Sequence, residues 1–216
     1  MGISLLLRGV AILLAGGVLA LATSRFPRLS SYLGSTAAVI GSLVALLAPL
    51  GVLHGGAAVS LHLPWHVPYG SFSIEVDPLS AWFLVPILGI SALAAVYGRS
   101  YLAGHEGKRA LGVHWFFFNL LVAAMALVVT ARNGILFLVA WETMALASYF
   151  LVVFESDQET VREAGWTYLV ATHIGTAFLL AMFAMLGGAG PTLDFEALAA
   201  VPRTAQAAGA VFLLAV

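Results

Sequence analysis

The sequence contains no cysteine and very little charge. Without thiols, disulfides, thiolate zinc sites and iron–sulfur ligation within this chain are excluded. Charged residues make up 9% of the 216 positions. Soluble domains carry about a quarter, so this chain cannot cover a water-exposed surface of ordinary polarity. The formal net charge of −1 supplies no basic field for nucleic acid and no strong attraction to an acidic partner. A glycine-rich phosphate loop, a nucleophile elbow and a Ser–His–Asp arrangement are all missing, as are 20–50-residue repeats and low-complexity tracts.

What the chain has is apolar sequence, 62% of it, in blocks about as long as the ~20 residues that cross a bilayer at 1.5 Å rise per residue. Backbone groups in lipid must be satisfied internally, so such blocks are helices. Barrel strands would show ten-residue alternation, and none is present. Seven spans are predicted: Ile3–Leu21, Tyr32–Leu53, Leu79–Tyr97, Val113–Thr130, Asn133–Phe154, Thr160–Leu186 and Ala205–Val216. The last has about twelve residues, too few to cross, so the expected fold is an all-α, polytopic transmembrane helix bundle with six complete helices and a truncated seventh. The chain reads as the N-terminal piece of something longer. Arg8 before an apolar run ending Ala20-Leu21-Ala22 also has the shape of a signal peptide, but the second span follows almost at once. The expected division is 1–54 for two N-terminal helices, 55–78 for an extramembrane loop, and 79–216 for helices three to seven.

Loop charges set orientation. Arg25, Arg28, Arg99, Lys108, Arg109 and Arg162 fall on one side, and Arg8, Arg132 and Arg203 on the other. That bias places the N-terminus outside. In the long outside loop, Ser71–Val76 alternates like a strand after Pro68-Tyr69-Gly70, which predicts a small hairpin. Asp77-Pro78 has the form of a helix cap with proline in the first turn.

The candidate functional groups are the polar residues within the spans. Glu142 lies near the middle of the fifth, where burying a carboxylate costs ~2.5–3.5 kcal/mol on insertion scales. A group balanced between desolvation and a nearby opposite charge can load and release a proton as its neighbours change. The bland alternative is a permanently protonated glutamate that holds helices together. His173 lies at matching depth in the sixth span, flanked by Thr172 and Thr176, and histidine titrates near neutrality. Its bland alternative is a neutral ring bonded to a neighbouring helix. On the fifth span, Ala145 and Ser148 are small enough for close helix approach. Asn119 and Thr143 have the character of interhelical hydrogen-bonders. Trp115-Phe116-Phe117-Phe118, Trp82 and Trp166 read as an interfacial aromatic belt. The acidic loop Glu155–Glu159 with Glu163 suits solvation or docking of a partner subunit. Of the six histidines only His62 and His66 have i, i+4 spacing, and Pro64 between them opposes the helix that would align them, so no metal site and no cofactor are expected.

The stretch Trp141-Glu142-Thr143-Met144-Ala145-Leu146-Ala147-Ser148-Tyr149-Phe150-Leu151-Val152 resembles the antiporter-like proton-channel subunits of respiratory complex I. It resembles still more the related subunits of group 4 membrane-bound hydrogenases and formate hydrogenlyase. Val76-Asp77-Pro78-Leu79-Ser80-Ala81-Trp82-Phe83 looks like the start of that family's third helix, and Tyr168–Ala177 like its sixth in the hydrogenase-type variety. The resemblance runs from about residue 70 to 216. It implies a fold of about fourteen helices with two inverted five-helix repeats, each a half-channel, and an outside N-terminus. It also implies a fifth-helix glutamate, matched by Glu142, paired with a seventh-helix lysine. His173 matches a polar or basic relay position. Independently of the resemblance, Thr143, Ser148, Thr172 and Thr176 are read as supporting polar residues around the pair. Ala205–Val216 has no lysine, so that partner is expected just beyond it, and this length should not conduct protons alone. The implied role is a proton-translocating subunit in the cell's inner (plasma) membrane, assembled with other membrane subunits. An Mrp-type cation/proton antiporter subunit and a non-transporting structural subunit are the alternatives. The ion is H⁺ or Na⁺, and no other small-molecule substrate and no nucleic acid are expected.

Overall fold

The computed structural model describes residues 2–105, 110–188, 190–202 and 204–215. Its elements in chain order are α1 (Gly2–Ala22), α2 (Pro27–Leu53), β1 (Val59–Pro64), β2 (Ser71–Val76), α3 (Pro78–Leu102), α4 (Leu111–Thr130), α5 (Gly134–Val152), α6 (Glu159–Gly187), α7 (Phe195–Ala200) and α8 (Ala205–Ala215). Helices α1–α4 and α6, with α5 and its 3₁₀ continuation to Glu155, are each long and apolar enough to cross a membrane. The chain is therefore a multi-pass membrane protein, an all-α bundle with one small hairpin. Lys108, Arg109 and Arg203, which entered the charge count, lie outside the described residues.

The six spans sit where hydropathy puts them; α1, α2, α3, α4 and α6 start earlier than expected, while the α-helical part of α5 (Gly134–Val152) is shorter than the expected Asn133–Phe154. Helix α2 starts at Pro27, five residues before the apolar block, because proline suits the first helical turn. The short helix α7 was not anticipated. It is six residues long, below the length at which periodicity carries a signal.

Helices α1–α4 share one core that includes Leu6, Leu13, Leu84, Leu88, Trp115 and Val122. Small residues let these helices approach closely, as is usual in lipid, where packing rather than hydrophobicity drives association. A Cβ placed on Gly9 would stand 2.6 Å from the Gly41 carbonyl oxygen of α2. Asn119 acts across helices as expected, its amide donating to Gly34 O at 3.0 Å. Trp115 does not join an interfacial belt. It is 1% exposed, and its indole N–H donates to Ser31 Oγ at 3.0 Å. The missing side chain of Gly34 leaves the notch that the Trp115 side chain occupies. Trp82 and Trp166 are exposed, as belt residues would be.

The anticipated hairpin forms from β1 and β2, antiparallel with Val59 opposite Val76 and Leu61 opposite Ile74. Ile74 is fully buried with Ala131 and Leu136, which seats the hairpin on the junction between α4 and α5. Asp77 caps α3 by accepting from Ser80 N at 2.7 Å, and Pro78 occupies the first turn. Helix α6 is the least covered span. Within its apolar stretch 11% of residues are buried, against 39% in each of α1–α4.

Candidate functional site

The site grows from the antiparallel pair α5 and α6. Helix α5 starts at the hairpin end, where Asn133 accepts from Ile135 N at 2.9 Å and Leu136 N at 3.3 Å. Nine residues further on, about 13 Å along the axis, comes Glu142. A tight turn after α5 reverses the chain into the 29-residue α6, and His173 stands at its midpoint. Opposite directions and similar depths bring the two side chains together. His173 Nε2 lies 3.8 Å from Glu142 Oε2.

That separation is near the outer limit for an ion pair and too long for a direct hydrogen bond. The other ring nitrogen, Nδ1, is 2.9 Å from Leu169 O, one turn back on α6. A carbonyl only accepts, so Nδ1 carries the proton in this contact. With Nδ1 so engaged, Nε2 is the ring nitrogen that faces the glutamate. A proton on Glu142 and a proton on Nε2 are the two states this pair can exchange, directly after a small movement or through one water. Glu142 Oε1 is buried and has no hydrogen-bond partner among the described residues. An unpartnered buried carboxylate oxygen is expensive, and its demand is for a proton, a water or a cation.

The adjacent Trp141 Nε1 is likewise buried and unpartnered. Trp141 lines a cavity of about 350 Å³ between α5, α6 and α8, with Phe178, Leu179 and Leu213 among the other walls. His173 borders an open apolar groove along α6 with Trp166, Val170 and Ile174, and its side chain is 52% exposed against 31% for Glu142.

The other candidate residues are placed differently. The Thr143 hydroxyl donates to Val139 O at 2.7 Å within its own helix, so the expected interhelical bond is not made. A threonine in a helix readily returns its hydroxyl to the carbonyl four residues back. Thr172 does the same toward Tyr168 O and Leu169 O, and Thr176 toward Thr172 O. Ser148 is half-buried on α5, six residues past Glu142. Leu169 O therefore receives both Thr172 and His173, which ties the threonine to the ring's anchoring carbonyl. No cluster of three or more His, Cys, Asp or Glu able to hold a metal occurs among the described residues.

Sequence reasoning missed the polar cluster at the hairpin end. Arg132 pairs with Glu75 at 2.9 Å and Asp77 at 2.6 Å. The Asn133 amide donates to Tyr69 O at 3.1 Å and Asp194 Oδ1 at 2.9 Å. Asp194 also accepts from Ser71 Oγ, and from Thr192 Oγ1 at 2.8 Å. Burial would raise the Asp194 pKa, but the bonds from Ser71, Asn133 and Thr192 and the nearby His62 hold it below the ordinary value. Asp77 is likewise lowered, its desolvation outweighed by the bonds from Ser80 and by Arg132. The available signal was Asn133-Gly134 directly before an apolar run, a helix-start pattern.

Residues 131–216 match the family described as "NADH:quinone oxidoreductase/Mrp antiporter, TM", and residues 69–110 match "NADH-Ubiquinone oxidoreductase (complex I), chain 5 N-terminus". Hydrogenase-4 component B of Escherichia coli is 29% identical over 163 residues, 76% of this chain and 24% of its own. NADH-quinone oxidoreductase subunit L of Mycobacterium tuberculosis is 31% identical over 137 residues, 63% of this chain and 21% of its own. In the structure of respiratory complex I from Thermus thermophilus, a chain superposes with TM-score 0.71 at 25% identity over 97% of this chain and 43% of that one. The Mrp complex of a Dietzia species gives 0.76 at 20% identity, covering 97% and 22%. The chain belongs to the antiporter-like membrane subunit family. It spans about a quarter of the length of these curated relatives.

Proposed function

We propose that this chain is part of a proton-translocating membrane subunit of a complex I-like or group 4 hydrogenase-type assembly in the plasma membrane. Residues 79–216 supply part of its first half-channel. Redox chemistry in partner subunits shifts the field at Glu142 and His173, and the pair changes its proton occupancy in response. One observation carries this reading: a carboxylate at mid-helix on α5 lies 3.8 Å from an imidazole at mid-helix on α6, with the second carboxylate oxygen buried and unsatisfied. Ionisable groups at such depth are costly and mark ion pathways. The relatives' assignments to hydrogenase-4 and NADH-quinone oxidoreductase support the redox-coupled assembly over a passive scaffold.

The test is Glu142→Gln in the intact complex, reconstituted into vesicles and driven by its electron donor. The amide keeps the shape and loses the titration. Pumping should fall by an order of magnitude or more with assembly intact. Undiminished pumping removes Glu142 from the path. Replacing external Na⁺ by choline separates the Mrp-type reading, in which flux would follow Na⁺.

A further inference from the structure

The pair above is useful only if α5 and α6 hold a fixed register. At the end opposite the hairpin a tight turn joins them. At the hairpin end nothing covalent joins them closely, yet the residues flanking them are tied. Gly134 N donates to Leu193 O at 3.0 Å and Phe195 N to Arg132 O at 2.9 Å. These two bonds frame an isolated antiparallel bridge between Asn133 and Asp194. Across that bridge the Asn133 amide donates to the Asp194 carboxylate. Leu193 N in turn donates to Tyr69 O at 3.1 Å, and Arg132 N to Ser73 O at 2.8 Å, which anchors both strands of the bridge on the hairpin segment.

Asn133 is fully buried, and its side chain is saturated: the oxygen accepts from two α5 backbone amides and the nitrogen donates to Tyr69 and Asp194. An ordinary helix cap uses only the oxygen. The two donor contacts leave α5 altogether, and one reaches the segment that follows α6.

We infer that Asn133 is a positioning residue: its bridge to Asp194 closes the far end of the α5–α6 pair and so sets the depth and rotation at which Glu142 meets His173. One residue of slip in α5 turns Glu142 by about 100°, enough to point it away from α6. The inference rests on the proton-transfer reading for its functional consequence, and its geometric content can be tested apart from it.

Two experiments on the full-length subunit in its assembled complex do this. The bridge pair is of the type not mutually hydrogen-bonded, in which Cα atoms lie about 4.5 Å apart, within reach of a disulfide. These 216 residues contain no cysteine, and the complex without the two substitutions, taken through the same oxidation and reduction, is the control for thiols elsewhere. The double variant Asn133→Cys/Asp194→Cys is prepared oxidised with diamide, reconstituted, and then reduced. Reduction should lower pumping about tenfold, the scale on which ångström misplacements act, and displace its pH profile, and reoxidation should restore both. Identical rates and profiles in the two states overturn the inference. In parallel, spin labels at Leu146 on α5 and Val170 on α6, both exposed, report the helix separation. Asn133→Ser keeps a cap oxygen and removes the side-chain amide that reaches Tyr69 and Asp194, and should shift or broaden that distance distribution. An unchanged distribution overturns the clamp even where Glu142→Gln abolishes pumping. A changed one upholds it even where Glu142→Gln leaves pumping intact.

Discussion

Gly34 on α2 lies so close to Trp115 on α4 that a Cβ built on it would stand 2.4 Å from the Trp115 Cβ and 2.6 Å from its Cγ. The contact places the Trp115 indole where it donates to Ser31 and keeps the Gly34 carbonyl available to Asn119. One glycine thus organises a polar seam through the four-helix core.

Gly34→Ala should destabilise the α2–α4 contact by about 1–3 kcal/mol, the usual cost of forcing volume into a packed core. The obstacle is rigid ring and Cβ, with no flexible side-chain end to swing aside. Thermal unfolding of the detergent-solubilised protein, followed by a scanning fluorescence assay, checks this. A transition unchanged within a degree would refute it.

Asn119→Ala removes a fully buried amide that donates to Gly34 O and, at 2.8 Å, to Trp115 O. Interhelical hydrogen bonds of this kind contribute about 0.6 kcal/mol on average and up to about 1.7. The loss should fall in that range, smaller than for Gly34→Ala. A larger effect for Asn119 than for Gly34 would invert the picture of packing over polarity.

The hairpin end should weaken in acid. The folded pKa values of Asp77 and Asp194 lie below the ordinary value of 3.8. A carboxylate lowered in the folded state stabilises it fully above its unfolded pKa, and that contribution is lost as pH falls through the folded value. Protection of the β2 amides in hydrogen exchange should be flat from neutrality to about pH 4.5 and fall below it. In Asp194→Asn the acid step should shrink, with less protection at neutral pH. An acid step of equal size in Asp194→Asn would show that other groups cause it.

Arg132→Met leaves Glu75 and Asp77 without their shared cation. Both carboxylates are partly exposed, so the cost should be modest, about 1 kcal/mol or less, as for other solvent-screened pairs. A salt titration distinguishes the cases: wild-type stability should fall slightly as ionic strength rises, and the variant should be insensitive.

On the proposed relay, His173→Gln should retain assembly but move the pH dependence of pumping, because it removes the imidazole that faces Glu142 across 3.8 Å. A profile superimposable on the wild type would assign the ring a structural role only.

Much of this was legible in the residues themselves. Blocks of apolar sequence placed the six spans, since only helices satisfy backbone groups in lipid. Alternation in Ser71–Val76 and the Asp77-Pro78 cap are local signals, and both elements formed. Trp115 defeated that kind of reading. An aromatic at a helix end suits an interface and a core notch equally well, and the choice was made by Gly34, eighty-one positions away. Thr143, too, gave no sign whether its hydroxyl would cross to a neighbour or return to Val139 O.

What the sequence determined alone was membrane insertion, span number and the depth of Glu142 and His173, because hydropathy and rise per residue are properties of one segment at a time. Only tertiary structure decided that those two side chains come within 3.8 Å, and that Asn133 bridges to Asp194 across the segments flanking the helices that bear them. Both facts depend on the rotation of one helix about its axis against another. That rotation is settled by close packing and by a handful of buried hydrogen bonds between residues far apart in the chain.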